Sequence, residues 1–153
     1  MRQFEIAGEL SRVYSLEIDA AHAYHAARNL LFPGPVNDEL ALFELEHQRH
    51  ALVLLDVFLR LGQNPPEHEP DVKGLLIGAL TAPDRILTLE DIVERLRGNE
   101  QLTNSVFSKV LAKVLPPGVR EILEPFREDE RKHLEWMERA MARRIWEEPS
   151  AHP

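Results

Sequence analysis

The chain contains no cysteine, which removes disulfides, iron–sulfur clusters and thiolate zinc sites from consideration and fits an intracellular protein. Long hydrophobic runs are also missing. Stretches such as Ala51 to Leu55 fall far short of the roughly 20 residues that a membrane-spanning helix needs. The start, Met1-Arg2-Gln3-Phe4-Glu5, leads into no signal-type apolar segment, so the expected location is the cytoplasm, with no membrane partner. Positive charge is scarce as well: 18 Lys and Arg stand against 26 Asp and Glu, a formal net charge of -8. That balance argues against nucleic acid and anionic lipid as partners and leaves small solutes and metal cations. At 153 residues the chain is expected to form one domain, 1–153, with a full core.

Prolines and glycines cut the sequence at Phe32-Pro33-Gly34-Pro35, at Gly62 to Pro70, around Ala82-Pro83-Asp84, at Pro116-Pro117-Gly118 and from Pro149. Between them lie four helical patterns, expected at about 5–31, 37–61, 88–115 and 118–146, and no convincing strand. The first and third links are short, which makes two antiparallel hairpins. The segment 62–87 is long enough to cross the length of a bundle, with a short helix expected over 71–80. This is the connectivity of a ferritin-like all-α four-helix bundle.

Charged residues then appear where apolar ones belong. In the last helix Glu130 and His133, three residues apart, share the arc of Ile122, Phe126, Met137, Ala140 and Met141, while Arg131, Lys132, Glu135 and Arg139 lie opposite. In the first helix Glu17 falls near the centre of the arc of Leu10, Val13, Ala20, Tyr24 and Leu31. Glu100 does the same in the third, among Leu89, Val93, Leu96, Phe107, Val110 and Val114. Each of these two glutamates is followed seven residues later by an aromatic, Tyr24 or Phe107. An unpartnered buried carboxylate costs several kcal/mol or forces the group to neutralise, so these groups require counter-charges.

The second helix offers Glu44-Leu45-Glu46-His47-Gln48-Arg49-His50. The arc of Leu40, Ala51, Leu54, Leu55, Phe58 and Leu61 is centred between Glu44 and His47, and facial position therefore selects those two. A register with His47 and His50 inside is the alternative. It is favoured by the distance from His50 to the following Gly62 and Pro65 turn, and by the equal separations of Glu17 to His47 and Glu100 to Glu130. In the first register the halves match as Glu plus Glu-x-x-His, and four carboxylates balance two divalent cations. No Lys or Arg lies at the centre of an inner face to do so instead.

The pattern resembles the ferritin-like di-iron carboxylate family. Asp129-Glu130-Arg131-Lys132-His133-Leu134-Glu135-Trp136 is similar to the last helix of bacterioferritins, and Glu17 with Tyr24 to their first helix. The resemblance implies metal ligands Glu17, Glu44, His47, Glu100, Glu130 and His133, with His50 the alternative in the second helix, and two iron ions, manganese being the other option. It implies reaction with oxygen or peroxide, ferroxidase-like, with a dimanganese catalase-like or peroxidase-like centre or a metal-buffering module as alternatives. A homodimer is expected, since such bundles associate symmetrically. Departures from the family pattern narrow this. No Met lies in the middle of the second helix to ligate haem, so no haem is expected, and no cysteines are present for a rubredoxin part. No fifth helix is expected after Trp146, which puts storage in doubt, and Pro125 is expected to kink the last helix or delay its start.

Overall fold

A computed structural model describes residues 3–69 and 87–149, and among these residues it contains helices and no strand. The helices are α1 (Gln3–Leu30), α2 (Pro35–Arg60), α3 (Leu89–Leu111) and α4 (Val119–Arg143), followed by a 3-10 turn, Ile145–Glu147. The α1–α2 and α3–α4 hairpins form the main packing pairs, and α1 against α3 and α2 against α4 close the bundle. The short helix expected over 71–80 lies outside the described residues, as does most of the crossover. None of the described helices is long and apolar enough to cross a membrane.

Local chemistry explains the ends. Gly62, at φ 66°, closes α2, with backbone N–H bonds from Leu61, Gly62 and Gln63 back to Val57, Leu59 and Phe58. Thr88 and Asp91 form a reciprocal capping box at the start of α3. That helix stops at Leu111, short of the expected 115, because the Arg120 guanidinium takes up the carbonyls of Leu111 and Lys113. Val114, assigned to the inner arc by periodicity, consequently lies beyond the helix and is exposed. Pro125 neither ends nor delays α4, which begins at Val119. Pro125 has no N–H to offer the Glu121 carbonyl, and both residues are on the exposed side, where water reaches that carbonyl.

The core has three layers. At one end Leu10 and Val13 of α1 meet Leu54 and Phe58 of α2, Phe107 and Val110 of α3, and Leu123 and Phe126 of α4. At the other, Tyr24 and Ala27 meet Leu40 and Phe43, Ile92 and Leu96, and Met137 and Ala140. Between them each helix contributes the residues that lie between its two apolar sets in sequence: Glu17, His47 and His50, Glu100, and Glu130 and His133, every one of them buried. A polar layer is thus sealed by apolar packing on both sides.

The inner face of α2 is turned from the expected arc. Its buried residues are Leu40, Phe43, Glu44, His47, His50, Ala51, Leu54, Val57 and Phe58, while Leu55 and Leu61 are only partly buried. Leu42, Leu45, Leu52 and Leu59 face outward. With leucines on several sides, hydrophobic periodicity alone could not define one face of this helix.

Candidate metal centre

The six side chains of the polar layer form two overlapping groups. Glu17, His47, His50 and Glu130 offer donor atoms that all lie within 4.8 Å of one another, and so do His47, Glu100, Glu130 and His133. Five of the six expected ligands therefore meet in one place: Glu17, His47, Glu100, Glu130 and His133. His50 joins them and Glu44 does not. The Glu44 carboxylate accepts hydrogen bonds from Arg28 and pairs with Nδ1 of His25 at 2.8 Å, while Arg28 is itself held by Asn37. Its charge is balanced by a cation on its own hairpin. The α2 register is the one in which His47 and His50 point inward.

Contacts around the centre relate the two hairpins by an approximate two-fold exchange. Nε2 of His50 meets Asp129 at 2.9 Å, and Nε2 of His133 meets Glu46. Glu46 precedes His47, and Asp129 precedes Glu130. The ring of His50 stacks on Phe126 (4.1 Å between centroids), and that of His133 lies 4.3 Å from Phe43. Each aromatic stands four residues before the inward residue of its own helix and supports the histidine of the other hairpin. The acids and the rings leave both terminal histidines with Nδ1 turned toward the cluster. A carboxylate on the outer nitrogen is the usual device for fixing a ligating histidine. Neither Glu46 nor Asp129 stands among the residues that periodicity selects; their position one residue before His47 and Glu130 is the signal the sequence offers.

Tyr24 breaks this exchange. Its hydroxyl donates to Oε1 of Glu100 at 2.6 Å, whereas Phe107, its counterpart in spacing, belongs to the apolar layer at the other end. Thr103 bonds back to the Asn99 carbonyl, as a helix-interior threonine commonly does.

The electrostatics follow from this packing. Burial alone would raise the Glu17 carboxyl, but the facing His47 and His50 rings outweigh it and hold the group at about 2. Burial likewise opposes ionisation of Glu100, and His133 and His47 reverse it, leaving that carboxyl well below its ordinary value. Glu130 goes the other way: burial, with Glu17 and Glu100 close by, pushes it up to about 8. Burial disfavours the charged rings, yet the carboxylates raise His47 well above its ordinary value, His50 to about 9 and His133 to about 12. Without metal, ring protons supply the positive charge that the carboxylates require.

The residues fit a metal pair. Among the described residues six buried side-chain polar atoms have no hydrogen-bond partner, and four of them are here: Oε1 of Glu17, Oε2 of Glu100, Oε2 of Glu130 and Nδ1 of His133. His133 Nδ1 lies 3.4 Å from Glu130 and 3.5 Å from Glu100 without forming a hydrogen bond. Unmade bonds cost about 1–3 kcal/mol per buried group, more where it is charged, so four in one layer mark donors arranged for something other than each other.

A polar layer of carboxylates and imidazoles inside four helices is the architecture of the ferritin-like fold, and comparison with solved structures agrees. The chain is similar to a ferritin-like, diiron-carboxylate protein from Bacillus anthracis str. Ames, with a TM-score of 0.70 and 20% identity over 92% of this chain and 99% of that one. It is also similar to Desulfovibrio desulfuricans bacterioferritin, a protein with a diiron site, with a TM-score of 0.73 and 17% identity over 95% of this chain and 84% of that one. No family model matches the sequence, and no curated protein does. The fold is ferritin-like, and the chain holds within it a cluster able to bind metal.

Proposed function

We propose that the chain binds two divalent metal ions between its helices and oxidises ferrous iron there with oxygen or peroxide, a ferroxidase-like activity. What carries this reading is the convergence of four unpartnered donor atoms in a layer sealed from water. Both similar structures being described as diiron proteins supports iron over other metals. Bound as a pair, ferrous ions would supply the electrons that reduce oxygen or peroxide.

The chain's own residues would divide the work. Glu17, Glu100 and Glu130 offer hard oxygen donors, and Glu130 turns one oxygen toward His50 and the other toward His133. His47, His50 and His133 complete the ligand set, with Asp129 and Glu46 holding the outer nitrogens of the last two. Tyr24 orients Glu100. Phe43 and Phe126 cover the terminal histidines and keep the layer dry. Glu44 is no part of this set. The same donors admit manganese, which would make the centre catalase-like or peroxidase-like; no haem is invoked.

A second copy of the chain is the proposed protein partner. Leu45, Leu52 and Leu59 repeat every seven residues along the outside of α2 and are all more than half exposed. Beside them, Tyr14, Ile18, Ala21 and Leu55 line a largely apolar groove of about 420 Å3 between α1 and α2. Contiguous apolar surface of this kind marks an association site, and a size measurement distinguishes a dimer from a monomer or a cage.

The decisive experiment titrates metal-free protein with ferrous iron under anaerobic conditions, measures iron per chain, then admits oxygen and follows oxidation. Two irons per chain with rapid oxidation supports the proposal. Tight binding without oxidation leaves a metal-buffering protein, and no binding removes the functional reading altogether.

A further inference from the structure

The two donor groups share His47 and Glu130, and what separates them is the ring nitrogen that His47 turns to each, Nδ1 toward Glu17 and Nε2 toward Glu100. Facing Glu17 are two ring nitrogens, Nδ1 of His47 at 2.7 Å and Nδ1 of His50 at 3.2 Å, with Oε1 of Glu130 3.1 Å from the latter. Beside Glu100 and Oε2 of Glu130 stands Nδ1 of His133. The residue that breaks the match is His47, which lies as far after Glu17 as Glu130 lies after Glu100. Where the second hairpin supplies a carboxylate, the first supplies an imidazole.

Which nitrogen His47 commits follows from its neighbours. In His50 and His133, Nδ1 faces the cluster and Nε2 meets a carboxylate. His47 follows the same rule, but the carboxylate 3.2 Å from its Nε2 is Glu100, a proposed ligand of the other position. With Nδ1 given to a metal, the remaining Nε2–H donates to Glu100 and fixes its orientation. A hydrogen bond from His47 to Glu100 would thus stand between the positions where the second hairpin's pattern would put a carboxylate, and of the three glutamates Glu130 has one oxygen near His50 and the other near His133.

The geometry points to two unequal metal positions: a nitrogen-rich one held by Glu17, His47, His50 and Oε1 of Glu130, which takes a borderline divalent ion of the zinc or cobalt class in preference to iron or manganese, and an oxygen-rich one held by Glu100, His133 and Oε2 of Glu130, which takes the harder ion. Imidazole favours metals late in the divalent series, whereas carboxylate suits manganese, and manganese and iron stand lowest in the order of affinities. Offered iron alone, both positions take iron; offered zinc as well, the first is claimed by zinc. This inference rests on the two-ion reading above.

The test uses full-length metal-free protein, with zinc and manganese as probes. One equivalent of zinc followed by excess manganese is expected to leave one of each per chain, with the paramagnetic resonance spectrum of an isolated manganese ion. Manganese alone is expected to bind in two separate steps. His47→Glu restores the missing carboxylate: the two steps merge, and the zinc preference of the first position falls by roughly tenfold. Two further variants leave every proposed ligand in place. Asp129→Asn is expected to weaken the zinc step alone and Glu46→Gln the manganese step alone, each by about 10- to 100-fold. Two ions bound in one step with no metal preference, or Asp129→Asn and Glu46→Gln weakening both steps equally, would overturn the inference while leaving the dinuclear reading intact. If wild type binds neither metal, both fall.

Discussion

In the hairpin of α3 and α4, Glu100 is answered thirty residues later by Glu130 and three residues after that by His133. In the hairpin of α1 and α2, Glu17 is answered at the same two separations by His47 and His50. The surroundings keep the same correspondence: Asp129 and Glu46 hold the opposite histidine, and so do Phe126 and Phe43. Against this shared frame the differences are few and specific. One inward carboxylate has become an imidazole, one aromatic carries a hydroxyl, and α2 has an apolar exterior where α4 has a charged one. A centre built from near-repeats can therefore be made unequal by single side chains, without altering the helices that carry them.

The largest break in that comparison should come from Glu130, the carboxylate facing both groups. Glu130→Ala is expected to abolish binding of two metals per chain, leaving at most one, as read by elemental analysis of protein with ferrous iron or manganese. Glu44→Ala, in contrast, should keep the full complement, because its carboxylate is already paired with Arg28 and hydrogen-bonded to His25.

Removing the cation instead exposes what that pair does for the fold. Arg28→Ala strands a carboxylate that is almost fully buried. The expected loss is about 2 kcal/mol by chemical denaturation, less than the 3–5 kcal/mol of a fully buried pair because Arg28 is one-third exposed. Metal binding should be unchanged. Tyr24→Phe makes the two aromatics alike and removes a hydrogen bond to a buried carboxylate. A loss of about 1.5 kcal/mol is expected, with a weaker manganese step and an unaltered zinc step. Thr88→Ala, which removes the capping box of α3, should have the smallest effect, about 1 kcal/mol in denaturation and none on metal.

Acidity links the two hairpins. The rings of His50 and His133 are raised from 6.5 to about 9 and about 12, and Glu130 from 4.5 to about 8, so the folded metal-free chain holds protons that the unfolded chain has released. Stability from these groups is complete at low pH and falls as pH rises, from 4.5 toward 8 for Glu130 and from 6.5 through 9 for His50. Glu17 acts oppositely: its contribution is present above 4.5 and lost as pH falls toward 2. Metal-free protein should therefore melt at progressively lower temperature between pH 6.5 and 9. Metal affinity should rise over the same window, since bound ions displace those protons.

Much of this was legible before any coordinates. In α4 the charged exterior left one apolar arc, and Glu130 and His133 could be placed on it directly; Glu17 and Glu100 were equally plain, each a lone acid on an apolar face. The α2 register was not legible in this way. The expected arc included Leu55 and Leu61, which are only partly buried, and left out Phe43 and Val57, which are buried, so its centre fell toward Glu44. Chain separation held the better clue, since a repeated hairpin repeats its spacing even where its surface has changed.

The sequence by itself determined four helices, their pairing into hairpins and the burial of a carboxylate–histidine layer, because helical periodicity and helix-breaking residues are local properties that the order of side chains expresses. Only the tertiary structure decided which face of α2 turns inward, that Glu44 is spent on Arg28, and that each histidine leans on an acid and an aromatic from the opposite hairpin. Those outcomes depend on which charges and rings meet across helices far apart in the chain, and the energy of such meetings exists only once the bundle has closed.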